Sequence, residues 1–134
     1  MMPAEHRVPI VREIDVVVAR QKGRELAAGC GFSSTEQTLI ATAISEIARN
    51  IVVYAKTGEV LVQAVEEPGR RGIVVVARDE GPGIDDIELA LRDGYSTTKS
   101  LGLGLPGARR IMDEFKLEST RGQGTTVTMK KWVR

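Results

Sequence analysis

Three glycine-rich clusters punctuate this chain in a fixed order. The clusters are Asp79-Glu80-Gly81-Pro82-Gly83, Gly102-Leu103-Gly104-Leu105-Pro106-Gly107 and Gly122-Gln123-Gly124-Thr125. A fourth block, Glu46 to Asn50, comes earlier and lies inside a helical pattern. A glycine cluster alone marks a turn. Glycines, two carboxylates and an amide in this fixed order demand more, because the chain must fold so that they meet. Together they read as an ATP site.

A length of 134 residues predicts one domain, 1–134, with a sizeable core and no room for a separate regulatory unit. Any partner domain is then expected in trans. Nineteen basic against eighteen acidic residues leave a formal charge of +1, which gives no global electrostatic case for nucleic acid or an anionic membrane. Arg109-Arg110 and Lys130-Lys131 read as solvated faces. The longest apolar runs, such as Ile73 to Ala77, fall short of a bilayer span, and the amino terminus has no signal-peptide core, so a cytoplasmic protein is expected. Cys30 is the single cysteine; flanked by Gly29 and Gly31, it is expected in a turn between helices as a structural thiol.

The pattern along the chain predicts an edge strand over Arg7 to Ile14, where Pro9 is tolerable, then a helix capped by Asp15 and stopped near Ala28 by Gly29 and Gly31. Ser33-Ser34-Thr35-Glu36 has capping-box spacing. Ile40, Ile44, Ile47 and Ile51 follow in the rhythm of one helical face, predicting a second helix. Glu59 to Val65 and Gly72 to Arg78 read as paired strands joined through Pro68-Gly69, the second delivering Asp79 at its end. A short helix is expected over Asp85 to Leu91, a polar loop over Arg92 to Ser100, and a third long helix over Leu105 to Phe115. Strands at Leu117 to Thr120 and Thr125 to Val133 close the chain. This order predicts a two-layer α/β sandwich, its sheet mixed but mainly antiparallel, with helices on one face.

Glu46 and Asn50 stand one helical turn apart, roughly 100° from the Ile47 and Ile51 stripe, so they are expected to flank the core rather than join it. An amide oxygen is a hard neutral ligand suited to Mg²⁺, and a carboxylate one turn earlier can accept a proton from an attacking hydroxyl. A solvated helix face with a Glu46–Asn50 contact has the same pattern. Asp79 ends an apolar strand and enters Gly81-Pro82-Gly83, where a flat base can approach the backbone. A carboxylate there accepts from the exocyclic amine of adenine and repels the carbonyl of guanine, although an Asp-initiated turn also fits.

Gly102, Gly104 and Gly107 match a dinucleotide fingerprint, yet no strand precedes them and residues 108–134 are too few for the rest of such a fold. A glycine loop opening a helix at Leu105 still presents N–H groups to phosphates. Gly94 to Ser100 carries hydroxyls and one cation, and Ser96, Thr97, Thr98 and Lys99 read as a lid over a triphosphate hinged at Gly94 and Gly102, or as a solvated loop.

In order and spacing the four blocks resemble the ATP-site boxes of the GHKL superfamily, over residues 33 to 128. Within it, the short length, the Glu46–Asn50 pair and the Ser96-to-Lys99 lid resemble bacterial serine/threonine switch kinases. Ala43 to Asn50, Asp93 to Thr97, Gly104 to Phe115 and the ending Lys131-Trp132-Val133-Arg134 are similar to the stressosome kinases among them. The resemblance implies the GHKL (Bergerat) fold and an ATP- and Mg²⁺-dependent enzyme. Its substrates would be serine or threonine residues of STAS-domain antagonist and scaffold proteins, after which the kinase binds and activates a PP2C-type phosphatase. It further implies Glu46 as base, Asn50 as Mg²⁺ ligand and Asp79 as adenine reader. Gly81 and Gly83 would line the base pocket, and Gly102, Leu103, Gly104, Leu105 and Gly107 the phosphates, with Thr97, Thr98 and Lys99 above them and Thr125 near adenine.

Other readings share these motifs. An anti-sigma factor kinase has the same fold and chemistry but holds a sigma subunit, and a non-catalytic nucleotide-binding module would use the pocket for interaction alone. A GHKL ATPase with water as nucleophile relies on an additional domain. A histidine kinase is disfavoured because His6, the one histidine, lies ahead of the fold with no dimerising helix around it.

Overall fold

The computed structural model describes residues 5–81, 104–120 and 122–134. In chain order these form β1 (Glu5–Ile10), α1 (Glu13–Cys30), α2 (Ser34–Asn50), a π-helical turn (Ile51–Ala55), β2 (Gly58–Glu67), β3 (Arg70–Asp79), α3 (Gly104–Ile111), β4 (Glu114–Thr120) and β5 (Gly124–Trp132). The strands make one sheet in the order β1-β2-β3-β5-β4, and all four pairings are antiparallel. Among the described strands the expected mixed sheet is therefore antiparallel throughout.

Side chains alternate across each strand, so register decides what is buried. Val8, Val60, Ala77, Val127 and Leu117 form one cross-strand row, and Val62, Val75, Met129 and Phe115 the next. Both rows belong to the core that also takes Ile40, Ile44, Ile47 and Ile51 from the α2 stretch. Each of these isoleucines is at most 2% exposed, and each such burial contributes about 1.5–3 kcal/mol. The opposite face carries ion pairs instead, Arg7 and Arg78 both meeting Glu59. Among the described residues helices thus cover one face only, as the sequence predicts.

Local chemistry explains the element ends. Ser33 caps α2, its Oγ accepting from the Glu36 N–H at 3.1 Å while the Glu36 carboxylate accepts from the Ser33 N–H at 3.2 Å. Pro68-Gly69 turns β2 into β3, with Gly69 at φ 81 as the second turn position requires. Helix α1 approaches α2 at Gly23, where a Cβ would run into Ile44 Cδ1.

Several expected boundaries move. β1 ends at Ile10, and the residue capping α1 is Arg12, not Asp15. Asp15 sits three positions into the helix, where its carboxylate accepts from the Val11 and Arg12 N–H groups, each at 2.9 Å. Those two bonds hold its pKa below the usual carboxylate value. Cys30 is the last residue of α1 rather than part of a turn, and Gly31 at φ 97 ends the helix. The thiol is buried against the Gly72 carbonyl, and burial raises its pKa. Helix α3 stops at Ile111, so Phe115 belongs to β4. The cause is tertiary: the Asp113 N–H bonds to the Lys130 carbonyl of β5 and draws the chain into the sheet.

The helical run Ser34–Ala55 is, by length and composition, apolar enough to cross a membrane, at 22 residues and a mean hydropathy of 1.2. Its isoleucine face is occupied by the core, and its apolar length is that of a helix packed inside the fold. The expected helix at Asp85 to Leu91 and the polar loop at Arg92 to Ser100 lie outside the described residues.

Candidate functional site

Four backbone segments converge where β3 ends, and glycine is what lets them. At Gly81 a Cβ would stand 2.5 Å from the Cβ of Ala55 in the π-helical turn. At Gly58, the first residue of β2, it would stand 2.5 Å from the Arg78 carbonyl oxygen and 2.7 Å from Ile51 Cγ2. At Gly124, the first residue of β5, it would run into the Asp79 carbonyl oxygen. Gly58 belongs to none of the four sequence blocks, although a glycine between a helix and a strand is a signal for close approach.

Asp79 lies at the centre. Its Oδ1 accepts from the Gly81 N–H at 2.9 Å and from the Thr125 N–H at 3.3 Å. Both bonds engage one oxygen, and among the described residues Oδ2 has no hydrogen-bond partner. The Thr125 hydroxyl meets Ser119 Oγ at 2.9 Å, and Ser119 also donates to the Gly124 carbonyl at 3.1 Å. Ser119 carries no mark in the sequence, because only the β4–β5 register, which sets Ser119 opposite Thr125, makes it a neighbour.

Glu46 and Asn50 stand on α2, whose continuation through the π-helical turn carries Ile51 to Gly58 and Ala55 to Gly81. One continuous helical stretch therefore ties this pair to the end of β3. Glu46 is only 3% exposed, so it lies inside the packed structure rather than on its flank. Helix α2 is covered by α3 as well as by the sheet, a contact invisible to a single helical stripe. The Arg49 guanidinium, 3.9 Å from the Glu46 carboxylate, faces the same region. Asn50 is half-buried at the last position of α2.

Gly104 opens α3, and Leu105, Gly107 and Ala108 are buried in its first turns. Its far end is held by β5: the buried Lys131 Nζ donates to the Ile111 carbonyl at 3.0 Å, and Asp113 accepts from the Trp132 N–H at 2.8 Å. Asp113 also receives Arg134. Burial alone would raise the Asp113 pKa, but the Trp132 N–H, Arg134 and Lys131 outweigh it and hold the carboxyl below its usual value.

The structure thus brings Asp79, Gly81 and Thr125 together and links Glu46, Asn50 and the Gly104–Gly107 turn to the same side of the sheet. Gly83, Thr97, Thr98, Lys99, Gly102 and Leu103 lie outside the described residues. Among the described residues no three His, Cys, Asp or Glu side chains gather into a cage. The Asn50 amide oxygen, at the half-buried end of α2, is a hard neutral donor of the kind a Mg²⁺ ion takes beside phosphate oxygens and water.

Residues 11–131 match the family model of the histidine kinase-like ATPase domain. The chain belongs to that family. Among curated relatives it is 48% identical to the serine/threonine-protein kinase RsbT of Bacillus subtilis over 127 residues, 95% of this chain and 96% of the relative. It is 35% identical to the anti-sigma F factor of Caldanaerobacter subterraneus, over 70% of this chain and 68% of that protein. The crystal structure of the RsbU and RsbW domains of a Mycobacterium tuberculosis protein shares the fold at TM-score 0.63 and 20% identity. That match covers 98% of this chain and 32% of the other. The mycobacterial sensor histidine kinase MprB does so at TM-score 0.57 and 15% identity, covering 98% and 99%. This histidine kinase-like ATPase domain is accordingly an ATP-using enzyme of the serine/threonine protein kinase type.

Proposed function

We propose that this one domain, residues 1–134, acts in the cytoplasm to transfer the γ-phosphoryl group of ATP to a serine or threonine of STAS-domain antagonist and scaffold proteins. It then leaves them to bind and activate a PP2C-type phosphatase. The observation that carries phosphoryl transfer is the Glu46 carboxylate, 3% exposed and one turn before Asn50 on a helix tied to Asp79. A carboxylate shielded from water, one helical turn before an amide, supports a role as proton acceptor over that of a solvated surface group.

In this reading Asp79 accepts from the adenine amine through the oxygen that Gly81 and Thr125 leave open, and Thr125 borders the base. Gly81 and Gly83 leave room for the ring. Gly104, Leu105 and Gly107 open α3 toward the phosphates, where unpaired N–H groups and the helix dipole favour anions. Thr97, Thr98, Lys99, Gly102 and Leu103 keep the triphosphate-facing roles that the motif order implies. Asn50 would hold Mg²⁺ through its amide oxygen, and the ion supplies charge neutralisation across the phosphates. Glu46 orients the acceptor hydroxyl and takes its proton as the acceptor O–P bond forms and the bond to ADP breaks.

The test is incubation with labelled ATP, Mg²⁺ and a STAS-domain protein, followed by location of the labelled residue. Glu46→Ala is expected to cut labelling by about 10²–10⁴-fold while nucleotide still binds. Asp79→Asn is expected to weaken ATP binding about tenfold or more by calorimetry. Labelling by Glu46→Ala at the unmodified rate refutes the base assignment. The 35% identity to an anti-sigma F factor supports a second reading, a kinase that holds a sigma subunit. Retention of sigma rather than phosphatase in a pull-down would favour it.

A further inference from the structure

Ser119 has a single proton, and two of its contacts decide where that proton goes. The Gly124 carbonyl, 3.1 Å from Ser119 Oγ, can only accept. The Ser119 proton is committed there, so in the 2.9 Å contact with Thr125 the threonine hydroxyl is the donor. Thr125 then turns its lone pairs, not its proton, toward the space beside Asp79. Asp79, joined to Thr125 through the Thr125 N–H, is itself an acceptor. Two acceptors stand side by side at the end of the sheet.

We propose that Ser119 is a positioning residue that sets nucleotide-base specificity, by fixing the Thr125 hydroxyl as an acceptor so that this end of the pocket takes a purine amine and rejects a purine carbonyl. The inference rests on the ATP reading above and names what enforces it. A carboxylate alone discriminates against a carbonyl weakly when a hydroxyl next to it is free to rotate and donate. Holding that hydroxyl removes the escape. The device uses the β4–β5 register, since Ser119 and Thr125 are directly opposed, and the tight approach of Gly124 to Asp79, which keeps the two strand ends in place.

The probes are ATP and ITP, which differ by an amine against a carbonyl at one ring position and its adjoining ring nitrogen. Dissociation constants are measured by calorimetry for the unmodified protein, Ser119→Ala and Ser119→Thr. The unmodified protein is expected to prefer ATP. Ser119→Ala frees the Thr125 hydroxyl, so the ATP-to-ITP preference is expected to fall about tenfold, mostly by gain of ITP affinity. Ser119→Thr keeps a hydroxyl and is expected to restore the preference. A purely structural role would weaken both nucleotides in parallel and leave their ratio alone, and that result overturns the proposal. Should Ser119→Ala fail to fold, a Ser119→Thr protein without ATP preference overturns it equally. If the unmodified protein binds ATP and does not distinguish it from ITP, the specificity reading of Asp79 falls along with the proposal. If it binds neither, the nucleotide function itself is refuted.

Discussion

Two glycines in one turn should respond very differently to the same added methyl group. Gly122 has φ 80 and would place a Cβ in open space, with nothing within 4 Å. Alanine there meets only the cost of a left-handed backbone, about 1–2 kcal/mol. Gly124 has φ 119, and its Cβ would run into the Asp79 carbonyl oxygen and stand 2.9 Å from Glu80 Cα. Those atoms are backbone and cannot rotate aside. Relief requires β5 to move away from the end of β3, which also loosens the Thr125 N–H to Asp79 bond. Glycine-only backbone strain of about 1–3 kcal/mol, a forced shift of similar size and a weakened bond to a charged group put Gly124→Ala at about 4 kcal/mol or more. At this length 1 kcal/mol corresponds to about 3–4 °C in Tm, so the expected falls are about 15 °C for Gly124→Ala and about 5 °C for Gly122→Ala. Urea midpoints and thermal scans on both variants measure this. A Gly124→Ala protein within about 1 kcal/mol of Gly122→Ala would refute the close-approach argument.

Other substitutions probe separate parts of the fold. Asp113→Asn is expected to cost about 1 kcal/mol near neutral pH, because Asp113 is charged there and held by the Trp132 N–H, Arg134 and Lys131. Its folded pKa is lowered, so the stability it contributes is present above its unfolded pKa and is lost as pH falls through the folded value. The gap between the two proteins should therefore close in acid, and urea titrations at a series of pH values would show it; a gap that persists contradicts the ionic origin. Ser33→Ala removes the α2 cap and should destabilise by about 1 kcal/mol in the same assay, with the midpoint shifted and the slope unchanged.

Much of the fold is legible in the chain alone. The capping box at Ser33, the isoleucine stripe, the Pro68-Gly69 turn and delivery of Asp79 by a strand all follow from interactions within a few residues. The failures share one cause. Asp15 reads as a cap because local chemistry suits that role equally at two positions, and the path from β1 into α1 selects the other. Phe115 continues a helical pattern, yet the sheet captures it through Asp113 and Lys130. Glu46 looks like a flank residue because its helix shows one apolar stripe, yet it is buried in a helix that packs on α3 as well as on the sheet.

By itself the sequence determined the kinds of element and the chemical inventory of the site: the glycines, the two carboxylates, the amide and their order along the chain. These depend on side-chain type and on contacts three or four residues apart. Only the tertiary structure decided which glycines sit in forced contact, that the Asp79 oxygen bonded within its own turn to Gly81 also meets Thr125, and that Ser119 stands against Thr125. Those facts come from strand register, which opposes Ser119 to Thr125 across a turn, and from close approach between segments as far apart as Asp79 and Thr125, where hydrogen bonding and excluded volume act across space and leave no local mark in the chain.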